Sequence, residues 1–148
     1  MSYLYHLIPL LFYMSCTSQP SLSQEKLEVF YVPRTAKFES MLSIAELTEL
    51  DNDMISYYCT VEPKTIGSFK EVVDVPSFVL KDFAEVSPYI YIVLSVAEEK
   101  KVEIVVDDAI YLKMDGKVYR MSKQFQDWLN TSLPEATLPI GVRINECS

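Results

Sequence analysis

The pattern of apolar and polar positions divides the chain into short alternating segments and two clear helical segments. Alternation over four to eight residues is typical of a half-buried strand, while apolar residues at i, i+3 and i+7 indicate a helix. The alternating segments are rich in β-branched and aromatic residues, which favour strands. The sequence predicts strands over residues 26–32, 54–62, 89–97, 102–107, 110–114 and 117–121, with residues 142–144 as a candidate edge strand.

Three segments carry the signals of a helix. Ser43 followed by Glu46 forms a capping-box pattern, which predicts a short helix that ends near residues 51–53. A proline at the first position and an apolar stripe predict a second helix over residues 63–73. The third helix is capped by its first residue and covers residues 122–132.

Four of the predicted strands follow one another between residues 89 and 121 with very short connections. Asp115 and Gly116 form a favoured two-residue hairpin turn, and residues 98–101 form a charged turn. Connections this short join antiparallel neighbours only, so these strands form a meander. We therefore expect an α+β domain, in which an antiparallel β-meander sheet has two or three short helices packed on one face.

The first residues of the chain form a separate segment. No Asp, Glu, Lys or Arg occurs before Glu25, and residues 4–14 are almost entirely apolar. A run of this length cannot cross the hydrocarbon core of a bilayer, which takes about 20 residues. An apolar run followed by small polar residues is typical of a secretory signal peptide. The alternative is an N-terminal strand or helix that is buried in the fold.

The end of this apolar run carries a more specific pattern. The run closes with Ser15 and Cys16, after an apolar approach that includes Leu10 and Leu11. This pattern resembles the signal of bacterial lipoproteins, in which the signal peptidase cuts before a cysteine that carries diacylglycerol. Tyr13 departs from the pattern, because the family prefers leucine three residues before the cysteine.

The resemblance implies a cellular location for the protein, and it implies no activity. It implies that residues 1–15 are a signal peptide and that Cys16 carries a lipid anchor that holds the protein to a membrane. Residues 16–25 would then contain the lipidated cysteine and a flexible tether, and residues 26–148 a single α+β domain. Thr17 after the cysteine favours the outer membrane, so we expect a lipid-anchored protein of the cell envelope, at the outer membrane or its periplasmic face.

The number of cysteines agrees with export. If Cys16 is lipidated, Cys59 and Cys147 remain as a pair that can form a disulfide in an oxidising compartment. Such a bridge would join the C-terminus to the middle of the chain. The alternative is two buried free thiols that act as small apolar side chains.

Charge narrows the class of partner. The 148 residues are 49% hydrophobic and 23% charged, which is the range of ordinary globular proteins. They include 13 basic and 21 acidic residues, for a net charge of −8. Nucleic-acid binding needs a positively charged surface, which excludes nucleic acids as partners. Anionic lipids would repel this chain, so charge attraction to a membrane surface is excluded as well. An acidic surface suits a basic protein partner.

The sequence lacks the residues that several types of catalysis require. The single histidine, His6, lies in the predicted signal peptide, which excludes imidazole-based catalysis and metal binding in the mature protein. Three glycines are too few for a phosphate-binding loop. We therefore expect no catalytic site, no metal and no cofactor. The alternative is a carboxylate-dependent hydrolase, for which the candidate residues are Asp51, Asp53, Asp107 and Asp108.

One face of the meander is a candidate binding face. Alternate residues of the strand at 89–97 are aliphatic and belong to the core. The residues on the other side of this strand, together with those on the same side of the neighbouring strands, include aromatic and charged side chains. Tyrosines among charges are typical of recognition surfaces. The predicted binding face contains Tyr89, Tyr91, Tyr111 and Lys113. The alternative is that a helix or the C-terminal tail covers it.

Together these features predict an exported, lipid-anchored protein that is not an enzyme. We expect an accessory or binding protein, for example one that binds or inhibits a basic lytic enzyme or a toxin. The alternative is a structural component of a cell-envelope assembly that associates through a sheet edge or the tyrosine face. A eukaryotic secreted protein also stays open, because residues 130–132 (Asn-Thr-Ser) have the form of a glycosylation sequon.

Overall fold

The fold is that of a computed structural model, which describes residues 24–32, 42–74, 86–107, 110–133 and 143–147. The predicted signal peptide and Cys16 lie outside these residues, as do Asp108 and Val142. The described residues form an α+β fold, as predicted. In chain order the elements are β1 (Glu25–Tyr31), α1 (Ile44–Leu47), β2 (Ser56–Thr60), α2 (Pro63–Val73), β3 (Ile90–Val96), β4 (Glu99–Val106), β5 (Tyr111–Met114), β6 (Lys117–Arg120), α3 (Lys123–Ser132) and β7 (Arg143–Asn145).

The strands form one sheet with the order β6-β5-β4-β3-β1-β2-β7. The predicted meander is confirmed, because β3, β4, β5 and β6 pair with one another in sequence and antiparallel. The first strand of the chain lies inside the sheet, where Val29 pairs with Ile92 of β3 and Tyr58 of β2. The sheet is mixed, since β7 lies parallel to β2.

The two tight turns of the meander have backbone angles that match the twist of the strands. Asp115 and Gly116 both have positive φ, at 50° and 74°, as expected for the predicted hairpin. Ala97 and Glu98 have φ values of 49° and 65° and form the turn between β3 and β4. The charged turn predicted at residues 98–101 is therefore shorter and begins earlier, and its lysines belong to β4.

The larger core lies between one face of the sheet and the helices α2 and α3. Ile92 and Leu94, from the predicted aliphatic side of β3, are buried in it. The two helices contact each other through Phe69 and Trp128, whose ring centroids are 5.2 Å apart. Trp128 Nε1 donates a hydrogen bond to Ser68 Oγ at 3.1 Å, so the indole is buried with its polar atom satisfied.

A second, smaller core lies on the opposite face of the sheet. It contains Phe30, Val32, Leu47, Ile55, Tyr57, Cys59, Tyr91, Val93 and Val105. The prediction placed all helices on one face, and α2 and α3 follow it. Helix α1 lies on the other face, because its single buried residue, Leu47, is fully enclosed in the second core.

Helix α1 begins at the predicted capping box. Glu46 N donates to Ser43 Oγ at 3.2 Å, and the Glu46 carboxylate accepts from Ser43 N at 2.7 Å. The helix ends at Leu47, earlier than predicted. A turn follows, in which Asn52 Oδ1 accepts a hydrogen bond from Met54 N at 3.0 Å. Within the described residues, no helix has the length and apolar character needed to span a membrane.

The C-terminal end of the described chain is fixed to β2. Cys59 and Cys147 form a disulfide with their Cα atoms 5.7 Å apart and a sequence separation of 88. Glu146 N also donates to the carbonyl oxygen of Cys59 at 2.9 Å. Strand β7 has only three residues. The pairing with β2, this backbone hydrogen bond and the disulfide together attach β7 to the sheet.

Replacement of Cys147 by serine should therefore destabilise the protein. The disulfide restricts the unfolded chain, and a loop of this length contributes about 4 kcal/mol on the chain-entropy model. We expect the free energy of unfolding of Cys147→Ser, measured by urea denaturation without reductant, to fall by up to that amount. With reductant present, wild type and variant should unfold alike. Coincident curves without reductant would show that the bridge does not form in solution.

Candidate binding surface

The second face of the sheet carries a groove beside α1. Its volume is about 430 Å³, and it is lined by Ile44, Tyr91, Lys100, Lys101, Glu103, Val105, Lys113, Asp115 and Gly116. Tyr91 and Val105 are neighbours on adjacent strands and are buried, with 5% and 8% of their surface exposed. Helix α1 contributes Ile44, and the turn between β5 and β6 contributes Asp115 and Gly116. The groove therefore has a partly apolar lining with lysines around it.

A network of three side chains holds the Tyr91 phenol in place. Its hydroxyl donates a hydrogen bond to the Glu103 carboxylate. Lys100 Nζ lies 2.8 Å from the same carboxylate and donates to the Tyr91 hydroxyl at 3.2 Å. Burial raises the pKa of Tyr91, and the hydrogen bond to Glu103 raises it further. The phenol is therefore protonated at neutral pH and is not available as a nucleophile or a base.

The predicted binding face is brought together only in part. Tyr91 and Lys113 both line the groove, whereas Tyr89 and Tyr111 do not. Tyr89 is half-buried and packs against the second core, and Tyr111 is half-buried. Tyr91 itself lies under Lys100, whose Nζ is 5.7 Å from the ring centroid. The tyrosines therefore do not form an open aromatic surface.

Of the nine residues that line the groove, the predicted binding face includes only Tyr91 and Lys113. The sequence places Lys100 and Lys101 in a turn, and only Lys101 continues the alternation of polar and apolar residues in β4. Ile44 could not be placed, because nothing in the sequence shows on which face of the sheet α1 packs.

An acidic segment with exposed apolar side chains lies next to the groove. In the described part of the chain, the large hydrophobic residues that are exposed are Ile44, Leu50 and Met54, at 42%, 40% and 36%. All three lie in residues 44–54, which we call the acidic segment. Its four carboxylates are also exposed and belong to Glu46, Glu49, Asp51 and Asp53. The chain has no Lys or Arg between Lys37 and Lys64.

The carboxylates considered for hydrolysis are found at turns. Asp51 and Asp53 are exposed in the turn that follows α1. Asp107 Oδ1 accepts a hydrogen bond from Tyr111 N at 2.9 Å and so shapes the bend between β4 and β5. Asp108 lies outside the described residues. Over the described ranges, no group of three or more His, Cys, Asp or Glu side chains is arranged to hold a metal ion.

Comparison of the chain with known proteins finds no similar protein. No family model matches the chain, and no curated protein or solved structure is significantly similar to it. No enzyme family is therefore found for it. Its function must be derived from the groove and the acidic segment.

The Tyr91 network makes a prediction about stability in alkali. The folded state retains the Tyr91 proton at a pH where the unfolded chain, with a pKa near 10, releases it. Stability from this group is complete below about pH 10 and is lost as the pH rises through the raised pKa of the folded state. Tyr91→Phe should cost about 1 kcal/mol at pH 7 and should flatten the alkaline loss of stability. Urea midpoints between pH 7 and pH 11 measure both effects.

Tyr119→Phe is the matched control. Within the described residues the Tyr119 hydroxyl makes no hydrogen bond, so this variant should keep the wild-type dependence on pH. If Tyr91→Phe also keeps it, the network does not hold the phenol in its protonated form.

Proposed function

We propose that this protein is an exported binding protein without enzymatic activity, and that it binds a basic protein partner through the acidic segment. The observation that carries the proposal is the coincidence in one segment of the exposed large hydrophobic side chains and four exposed carboxylates. Exposed apolar residues that occur together, with polar residues around them, mark interaction sites.

The two kinds of side chain would have different roles in a complex. Carboxylates attract a basic partner from a distance and fix its orientation, which raises the association rate. Burial of the apolar side chains then stabilises the complex by roughly 25 cal/mol per Å² removed from water. Ile44 and Leu50 lie on either side of Leu47, which anchors the segment in the second core. The segment is therefore held in a fixed shape before it binds.

Two features favour binding over catalysis. The Tyr91 phenol, which lines the groove, is held in its neutral form by burial and by Glu103. Asp107 is hydrogen-bonded to the backbone of the neighbouring strand. The phenol is engaged by Glu103 and Lys100, and the Asp107 carboxylate by the backbone of Tyr111, which favours a structural role for both side chains.

Export forms part of the same proposal. Disulfides persist in oxidising compartments. Cys59 and Cys147 form such a disulfide. Together with the lipoprotein-like ending at Cys16, this bridge supports a location in the cell envelope, at the outer membrane or its periplasmic face. A lipid at Cys16 would hold the domain at the membrane through a tether of a few polar residues.

The short edge strands of the sheet do not favour the alternative of a structural component of a cell-envelope assembly. The outer strands β6 and β7 have four and three residues, and β6 carries the exposed charges of Lys117 and Arg120. Short, charged edges are the usual protection against strand-to-strand association. A discrete partner is therefore the better hypothesis.

Charge reversal in the acidic segment should abolish binding to the partner. We expect the double variant Glu49→Lys with Asp51→Lys to lose at least tenfold in affinity for a basic partner, because attraction becomes repulsion. The measurement is surface plasmon resonance against purified basic lytic enzymes and basic toxins, at low and at high salt. The matched control is Glu71→Lys with Asp74→Lys, which makes the same change of charge at exposed positions on α2 and just after it.

The two double variants separate specific from general attraction. Equal losses in both would mean that the whole acidic surface attracts the partner and that the segment is not the interface. If wild type binds none of the basic proteins, the basic partner must be abandoned. Leu50→Ser should weaken a true complex also at high salt, where charge attraction is screened.

The lipid anchor predicts the mass of the mature protein. Expressed in a bacterial host with its own N-terminus, the chain should begin at Cys16, carry acyl mass and occur in the membrane fraction. Cys16→Ser should abolish the added mass and release the protein from the membrane. Intact-mass spectrometry of both fractions tests this, and a full-length, unacylated chain would contradict it.

A further inference from the structure

The groove differs in charge from the rest of the molecule. Its lining contains three lysines, Lys100, Lys101 and Lys113, and two acidic residues, Glu103 and Asp115. An excess of positive charge in the lining, in a chain with a net charge of −8, points to a ligand of opposite sign.

The lysines of the groove are not equally engaged. Lys100 is paired with Glu103 at 2.8 Å, and Lys101 is paired with Glu99. Lys113 is exposed and makes no ion pair within the described residues. Of the acidic residues in the lining, Glu103 is neutralised by Lys100, and Asp115 belongs to the turn between β5 and β6. Lys113 is therefore the cation that is free to bind an incoming carboxylate.

The lining also favours an apolar side chain. Tyr91 and Val105 are buried and continue into the second core, so they offer an apolar surface between the lysines. Ile44 stands at the side of the groove with 42% of its surface exposed. A side chain seated between Ile44 and Val105 would remove that surface from water. Anionic polysaccharides and nucleic acids have no comparable aliphatic group.

We infer that the groove binds a short acidic segment of a protein, with an apolar side chain flanked by carboxylates. A carboxylate binds at Lys113, and the apolar side chain covers Ile44 and Val105. This site has the opposite charge from the acidic segment, and it does not depend on the basic partner proposed above.

The test uses a fluorescein-labelled peptide of ten residues in which Glu and Leu alternate. Fluorescence anisotropy with the full protein should show binding that weakens as salt rises. Lys113→Glu should reduce the affinity at least tenfold, and Ile44→Ser should reduce it several-fold. The matched control is Lys123→Glu, the same change at an exposed position on α3 outside the groove lining, which should stay within twofold of wild type.

Further peptides decide between the classes of ligand. Replacement of Glu by Gln should abolish binding, and replacement of Leu by Ser should weaken it as much as Ile44→Ser does. A sulfated polysaccharide that binds as tightly as the peptide, without regard to Ile44, would overturn the inference in favour of a general polyanion site. Absence of peptide binding, or equal losses in Lys113→Glu and Lys123→Glu, would also overturn it. Glu49→Lys with Asp51→Lys should not weaken peptide binding, so failure here is distinct from failure of the basic-partner proposal.

Discussion

Burial of β1 on both faces is the constraint on which the rest of the fold depends. Leu27 and Val29 are fully buried against the core that α2 and α3 cover, while Phe30 and Val32 belong to the second core. Because β1 pairs antiparallel with both β2 and β3, those two strands are parallel to each other. Parallel strands cannot be joined by a tight turn, so the chain must cross over one face between them. Helix α2 lies in this connection, and its buried residues Ile66 and Phe69 pack in the same core as β1, the strand between the two that it connects.

The same constraint leads to the candidate binding surface. A strand with two apolar sides needs cover on both, and on the second face Leu47 of α1 supplies part of it. Among the described residues, the one-turn helix α1 covers only part of this face, and the groove lies beside it over β4 and β5. The residues that follow Leu47 carry three carboxylates, those of Glu49, Asp51 and Asp53, and these side chains are exposed. The acidic segment is thus exposed beside the groove as a consequence of how β1 is covered.

Local elements could be predicted from the sequence, whereas their arrangement could not. Helix α2 runs from Pro63 to Val73 as predicted, and the capping box at Ser43 and the hairpin at residues 115–116 are in place, because each depends on neighbouring residues only. Alternation shows that a strand has two faces, but it does not show which strand lies beside it. The position of β1 between β2 and β3 could therefore not be predicted from the sequence, and neither could the face of the sheet on which α1 packs. Of the groove, alternation indicated Tyr91 and Lys113, while Ile44 needed the tertiary structure.

The arrangement of opposite charges on this surface bears on specificity more than on affinity. A uniformly acidic surface would attract any basic protein, since exposed charges act over about 8 Å at physiological salt without regard to shape. Here the acidic segment and the lysine-lined groove adjoin at Ile44, so a partner of the proposed kind would meet both signs of charge across a short distance. A partner bound in the wrong orientation would bring like charges together, which costs several kcal/mol in an interface. The apolar side chains contribute to affinity in either orientation, and the charges exclude the wrong ones. A protein of this size can in this way recognise one partner in one orientation without a deep pocket.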